Sequence, residues 1–144
     1  MSETCQTACP HCSAAQRIDK SVPVAVAKCH DCGGHLFDGH PILLTGETFA
    51  HHLATNTIPV VVDFMADWCG PCKVIAPEII KTAKALEPHV RFAKVDTDED
   101  QKLAGHNGVR GFPTLVIYKH GHEVARHAGA MSAAQIQAWL KPHL

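Results

Sequence analysis

Val60-Val61-Val62-Asp63-Phe64-Met65-Ala66-Asp67-Trp68-Cys69-Gly70-Pro71-Cys72-Lys73 joins an apolar run to a Cys-x-x-Cys pair and the start of a helical pattern. Apart from Asp63, residues 58 to 64 are apolar on both faces, as a strand in the middle of a sheet must be. Downstream, Val74, Ile75, Ile79, Ile80, Ala83 and Leu86 recur at helical spacing. Two cysteines three apart at the mouth of a helix share a face, so their sulfurs can pass between dithiol and disulfide. Cys69 falls where unpaired backbone N–H groups and the positive end of the helix dipole stabilise a thiolate, beside an exposed Trp68. Cys72 lies one turn further in. Pro71 is tolerated because a first-turn N–H has no intrahelical partner, and Gly70 leaves the approach to the sulfurs open. Pro77, inside the same helix, is expected to bend it.

Outward from this stretch, strand and helix patterns alternate. Residues 42–44 suit a short strand, and Thr45 or Thr48 a helix cap before a segment running to about Asn56. Residues 90–95 form the next strand, closing a right-handed βαβ unit. A short helix is expected within residues 98–106. Residues 114–118 and 123–127, joined by Lys119-His120-Gly121-His122, read as an antiparallel hairpin, and Ser132 caps a last helix with Ile136, Trp139 and Leu140 on one side. This order specifies an α/β fold with a central mixed sheet flanked by helices.

The chain has 144 residues, seven cysteines and a formal charge of -1. Balanced charge gives no electrostatic reason to expect nucleic acid or an anionic membrane as partner. No basic and apolar leader opens the sequence, and no apolar run is long enough to span a bilayer, so a soluble cytoplasmic protein is expected; a monomer is expected as well. Reducing cytosol disfavours structural disulfides, which leaves metal ligation and catalysis to explain so many thiols. Cys9-x-x-Cys12 and Cys29-x-x-Cys32, with sixteen residues between them, have the spacing of a tetrahedral zinc site. Four thiolates leave no open coordination position, so the Zn2+ is expected to be structural, with Gly33 providing the tight turn. Residues 1–40 are too few to fold on their own core and need this staple; residues 41–144 form the second domain. Cys5 reads as a spare thiol on a mobile terminus or, at a less suitable spacing, as a substitute fourth ligand. His11 and His30 are the replacement ligands, a disulfide pair or free thiols the rival reading of the four cysteines, and His51 and His52 read as surface residues. The first forty residues lack the basic face by which zinc ribbons hold phosphates.

Asp63 admits two readings, a solvent-facing strand end or a buried carboxyl whose raised pKa lets it take a proton from Cys72. Pro113 cannot serve a central ladder and belongs at a strand start, either trans or cis. The Cys69 pair could also be half of a metal site, although its strand-to-helix setting disfavours that.

Val62 to Lys73 together with Gly111-Phe112-Pro113-Thr114, Gly121 and Gly129-Ala130 resembles the thioredoxin family across roughly residues 42 to 144. The leading Cys-x-x-Cys pairs followed by Leu36-Phe37-Asp38-Gly39 are similar to its zinc-carrying bacterial thioredoxin 2 type. The resemblance implies a protein-disulfide reductase with Cys69 as nucleophile and Cys72 as resolving thiol. It favours the proton-relay role for Asp63, with Lys94 as charge partner. It also implies a cis Pro113 beside the dithiol and a substrate groove at Trp68, Gly70, Pro71, Phe112, Pro113 and Gly129. Disulfide-containing proteins would be substrates, and an NADPH-dependent thioredoxin reductase the electron source. A redox or zinc sensor on the same fold, or an oxidase or isomerase, is the rival reading. Met65 departs from the family's usual tryptophan, and Phe112 from a smaller aliphatic.

Overall fold

The computed structural model describes residues 4–144. Strands β1 (Thr4–Ala8) and β2 (Ala15–Asp19) form an antiparallel pair, followed by a 3-10 turn at Val24–Val26. The rest runs β3 (Ile42–Leu43), α1 (Phe49–Thr55), β4 (Val60–Met65), α2 (Gly70–Leu86), β5 (Arg91–Asp96), α3 (Gln101–His106), β6 (Thr114–Lys119), β7 (His122–Ala128) and α4 (Ala133–Leu140). The five-stranded sheet has the order β3-β5-β4-β6-β7. β4 pairs parallel with β5 and antiparallel with β6, so the sheet is mixed and β4 lies at its centre.

Strand alternation divides the core into two layers. Val60, Val62 and Phe64 of β4 join Ala93, Val95, Val116 and Tyr118 beneath α1 and α3. Val61, with Phe92, Leu115 and Ile117, faces α2 and α4 through Ile75, Ile79, Ala83, Ile136 and Leu140. Asp63 and Lys94, two residues on from Val61 and Phe92, therefore point to the α2 side of the sheet. The expected elements are present, with ends displaced by at most three residues. α4 opens with a full capping box, in which the Ser132 and Gln135 side chains each accept the other's backbone N–H.

Residues 4–40 also pack on the rest of the chain. Cys5, Cys9, Cys29, Leu36 and Phe37 pack against Ile58 of the main domain. Gln6 and Thr57 exchange backbone and side-chain hydrogen bonds, with Gln6 N to Thr57 Oγ1 at 2.9 Å. Two expectations are corrected here. Cys5 is 6% exposed inside β1, because strand alternation turns it inward, and is not a thiol on a mobile end. His52 is 2% exposed, its Nε2 is 3.2 Å from Ser13 Oγ, and burial pushes its pKa down to about 4, so it is a neutral interior group. His51 is exposed as expected, with Nε2 2.6 Å from the Ser13 carbonyl oxygen.

Candidate active site and metal centre

β4 delivers the chain to Ala66 and a turn, and α2 starts at Gly70 with Cys69 as its N-cap. The Cys69 sulfur accepts the Cys72 N–H at 3.2 Å, one of the orphan donors of the first helical turn. Cys69 and Cys72 are joined by a disulfide, so this is the oxidised form. Residue exposure does not separate the two cysteines, since both are 4% exposed. What separates them is the helix mouth, where only Cys69 is capped by N–H. Gly70 and Pro71 are exposed on the first turn, and Trp68 is 68% exposed with its indole N–H donating to Asp98 Oδ1 at 3.2 Å.

A second wall stands opposite. The Phe112–Pro113 peptide is cis, and Phe112 packs on the cluster of Ala66, Cys69 and Cys72 while meeting Trp68 edge-on at 5.9 Å. Gly129 donates its N–H to the Pro113 carbonyl at 2.9 Å with φ of 103°, a conformation that favours glycine. Trp68, Phe112, Pro113 and Gly129 are thus linked to one another, with Phe112 against the disulfide.

Behind α2 a cavity of about 230 Å³ is lined by Asp63, Met65, Cys72, Lys73 and Lys94, with His40 and Pro41 at one side. Asp63 is 6% exposed, and burial pushes its pKa up to about 7 against the opposing pull of Lys94. Asp63 Oδ1 has no hydrogen-bond partner among the described residues. Lys94 lies directly across the β4–β5 ladder from Asp63, yet no direct ion pair joins them among the described residues. The buried reading of Asp63 is the one the structure supports, and the solvent-facing reading fails. Met65, half-buried, lines this same cavity.

Cys9 and Cys12, in the turn between β1 and β2, meet Cys29 and Cys32, in the later turn closed by the Lys28–His35 bridge, with all four sulfurs within 4.8 Å of one another. Cys9 and Cys32 are 3.6 Å apart, as are Cys12 and Cys29. A tetrahedron with Zn–S bonds of about 2.3 Å has edges of roughly 3.8 Å, so the four fit a zinc-sized cation. Each knuckle repeats one hydrogen-bond pattern. Ser13 N–H returns to the Cys9 carbonyl at 2.9 Å and Gly33 N–H to that of Cys29 at 3.0 Å, and both turn residues have positive φ, 64° and 76°. Sulfurs accept N–H groups from His11 and Asp31 at 3.3 Å, and from Gly34 at 3.4 Å. Such bonds stabilise the thiolate form that a metal requires. Gln16 was not legible as part of this centre. Its amide donates to Cys29 Sγ at 3.1 Å while its oxygen accepts His30 N–H at the same distance. The Cys69 pair lies outside the cluster, so its reading as half of a metal site falls.

The thioredoxin family model matches residues 40–142. The chain belongs to the thioredoxin family. Thioredoxin C-3 of Corynebacterium nephridii is 36% identical over 136 residues, covering 94% of this chain and 93% of that protein. Thioredoxin 1 of a Nostoc species is 38% identical over 101 residues, 70% of this chain and 94% of its own length, and Pseudomonas aeruginosa thioredoxin is 36% identical over 105 residues, 73% and 97%. The first of these alignments takes in most of the first forty residues, and the four-cysteine cluster is consistent with the zinc-binding thioredoxin 2 type. As a thioredoxin family member the protein is a thiol-disulfide oxidoreductase; the family reduces disulfide substrates and is recycled by thioredoxin reductase. Among the described residues no helix is long and apolar enough to cross a membrane.

Proposed function

We propose that the protein reduces disulfides in protein substrates in a reducing, cytoplasmic setting, with residues 1–40 as a zinc-stapled module and residues 41–144 as the redox domain. The observation that carries this reading is the placement of Cys69 as N-cap of α2, its sulfur bonded to Cys72 and accepting the Cys72 N–H. In the reduced protein the Cys69 thiolate attacks one sulfur of a substrate disulfide. A mixed disulfide forms, and the other substrate sulfur leaves as a thiolate that takes a proton from solvent. Cys72 then gives its proton to the Asp63 carboxylate and attacks the Cys69 sulfur. The second substrate sulfur departs as a thiolate that takes a proton, and the Cys69–Cys72 disulfide remains, two electrons having passed to the substrate.

Asp63 suits the proton-acceptor role because burial holds it near neutrality and it shares a cavity with Cys72. That cavity is roomy enough to admit water as a carrier. Lys94, on the same side, keeps Asp63 from rising further and so keeps it usable as a base. The exposed Trp68, Gly70 and Pro71 would form one lip of the substrate groove, and Phe112, Pro113 and Gly129 the other, where extended substrate backbone can pair. An NADPH-linked thioredoxin reductase would return electrons to the disulfide. Cys9, Cys12, Cys29 and Cys32 would hold Zn2+ as a closed structural site, which supplies folding energy and no chemistry.

The test is a pair of variants assayed for reduction of insulin disulfides. Cys69→Ser should reduce nothing, whereas Cys72→Ser should accumulate a mixed disulfide that mass spectrometry finds on Cys69. Activity retained in Cys69→Ser would reverse the roles.

A further inference from the structure

We infer that Arg91 is a positioning residue of the metal centre, its buried guanidinium serving as the counter-charge to the metal-loaded tetrathiolate and tying that centre to β5. The inference rests on the metal reading of the four cysteines. Arg91 is 1% exposed at the start of an apolar strand. A guanidinium that cannot lose its proton is not buried without compensation. Its Nη2 donates to Thr7 Oγ1 at 3.1 Å and to the Ala8 carbonyl at 3.4 Å, directly before the ligand Cys9. The Phe37 ring lies 4.0 Å from its Cζ. Its Nε has no hydrogen-bond partner among the described residues. All of these contacts are made to the first forty residues, and all are neutral.

The nearby carboxylates supply only part of the compensation, although Glu87 is the largest of the charges that act on Arg91. Glu87 is half-buried with one oxygen on the Gly39 N–H at 2.9 Å, makes no direct ion pair with Arg91 among the described residues, and is pushed up to about 7 by burial, so it is only part-ionised at neutral pH. Asp38 is exposed and sits with His40. Four thiolates around a divalent cation carry a net charge of about minus two, and Cys9 follows Glu87, ahead of Asp38 and Cys5, among the groups that act electrostatically on Arg91. The loaded centre is the anion that completes the compensation of the buried cation, which a part-ionised Glu87 begins. It follows that the metal stabilises the redox domain through β5, and that Arg91 favours the loaded protein over the metal-free one.

The experiment compares the full-length protein with Arg91→Gln and Arg91→Lys. Zinc affinity is read by competition with a chromophoric chelator, and thermal unfolding is followed for zinc-loaded and metal-free forms. Arg91→Gln should weaken zinc binding about 10- to 100-fold, the range for residues that support a metal's ligands, and lower the unfolding temperature of the loaded form only. Arg91→Lys, which keeps the charge, should hold zinc within about threefold of the parent, well short of the loss expected for the neutral variant. Equal destabilisation of loaded and metal-free protein, failure of Arg91→Gln to fold without metal, or an unchanged zinc affinity would each reduce Arg91 to a packing role and overturn the inference. A parent protein that takes up no zinc would overturn the metal reading itself.

Discussion

Replacing Asp63 by asparagine should change how stability depends on pH, by an amount that follows from its burial. The carboxyl is raised from 3.8 to about 7. That is about three units, and at about 1.36 kcal/mol per unit the buried carboxylate costs the folded state about 4 kcal/mol once fully ionised. Between the unfolded and folded pKa values the native protein binds more protons than the unfolded chain. The contribution of Asp63 is therefore fully present below about pH 4, is lost as pH rises toward 7, and is flat above. At pH 4.5 the unfolded-state carboxyl is already mostly ionised, so about 3 kcal/mol of the loss falls between pH 4.5 and 8.5. The amide introduced by Asp63→Asn cannot ionise, and the cost of burying it is the same at both pH values. Glu87 also titrates near 7, but it is present in both proteins and cancels. Urea unfolding of the oxidised proteins at the two pH values should show the stability difference, variant minus parent, growing by about 3 kcal/mol, or on the order of 10 °C in a thermal melt. Parallel pH profiles for the two proteins would refute the buried-carboxyl reasoning and, with it, the proton-acceptor role.

Two further outcomes follow from the packing. Cys29→Ser should abolish zinc retention in a chelator assay and expose the β1–β2 amides to hydrogen exchange. Because Ile58 and Arg91 are packed against that hairpin, the unfolding temperature of the remaining domain should fall as well; an unchanged melt would mean that the two parts fold independently. Gly129→Ala forces a Cβ into a backbone conformation with φ of 103° and should cost about 1–3 kcal/mol in urea unfolding, while raising KM for a protein disulfide. An unperturbed KM would remove Gly129 from the substrate groove.

The main domain was legible because its signals are local. The apolar run of β4, the helical period of α2, the hairpin turn and the Ser132 cap each specify their own element from neighbouring residues. The Cys-x-x-Cys motifs carried their chemistry in the same way, through spacing. Asp63 was half legible: alternation along β4 gives its side, but burial depends on α2 lying over it. What escaped the reading is long-range. His52 looks like a surface residue on a short helix but is interior, with Ser13 from the distant β1–β2 turn against its ring. Cys5 is buried by a strand pairing that five residues cannot announce. The signal for Arg91 was a charged residue between Val90 and Phe92 in an apolar strand, which asks for a partner without naming one. Gln16 offered no signal at all.

The most direct test of the division between redox and metal-binding sulfurs is to treat the reduced, zinc-loaded protein with one equivalent of a disulfide. Peptide mapping would then locate the new bridge while a chelating dye measures released zinc. The expected result is a Cys69–Cys72 bridge with the metal retained. A bridge among Cys9, Cys12, Cys29 and Cys32, with zinc set free and Cys69 still reduced, would contradict it.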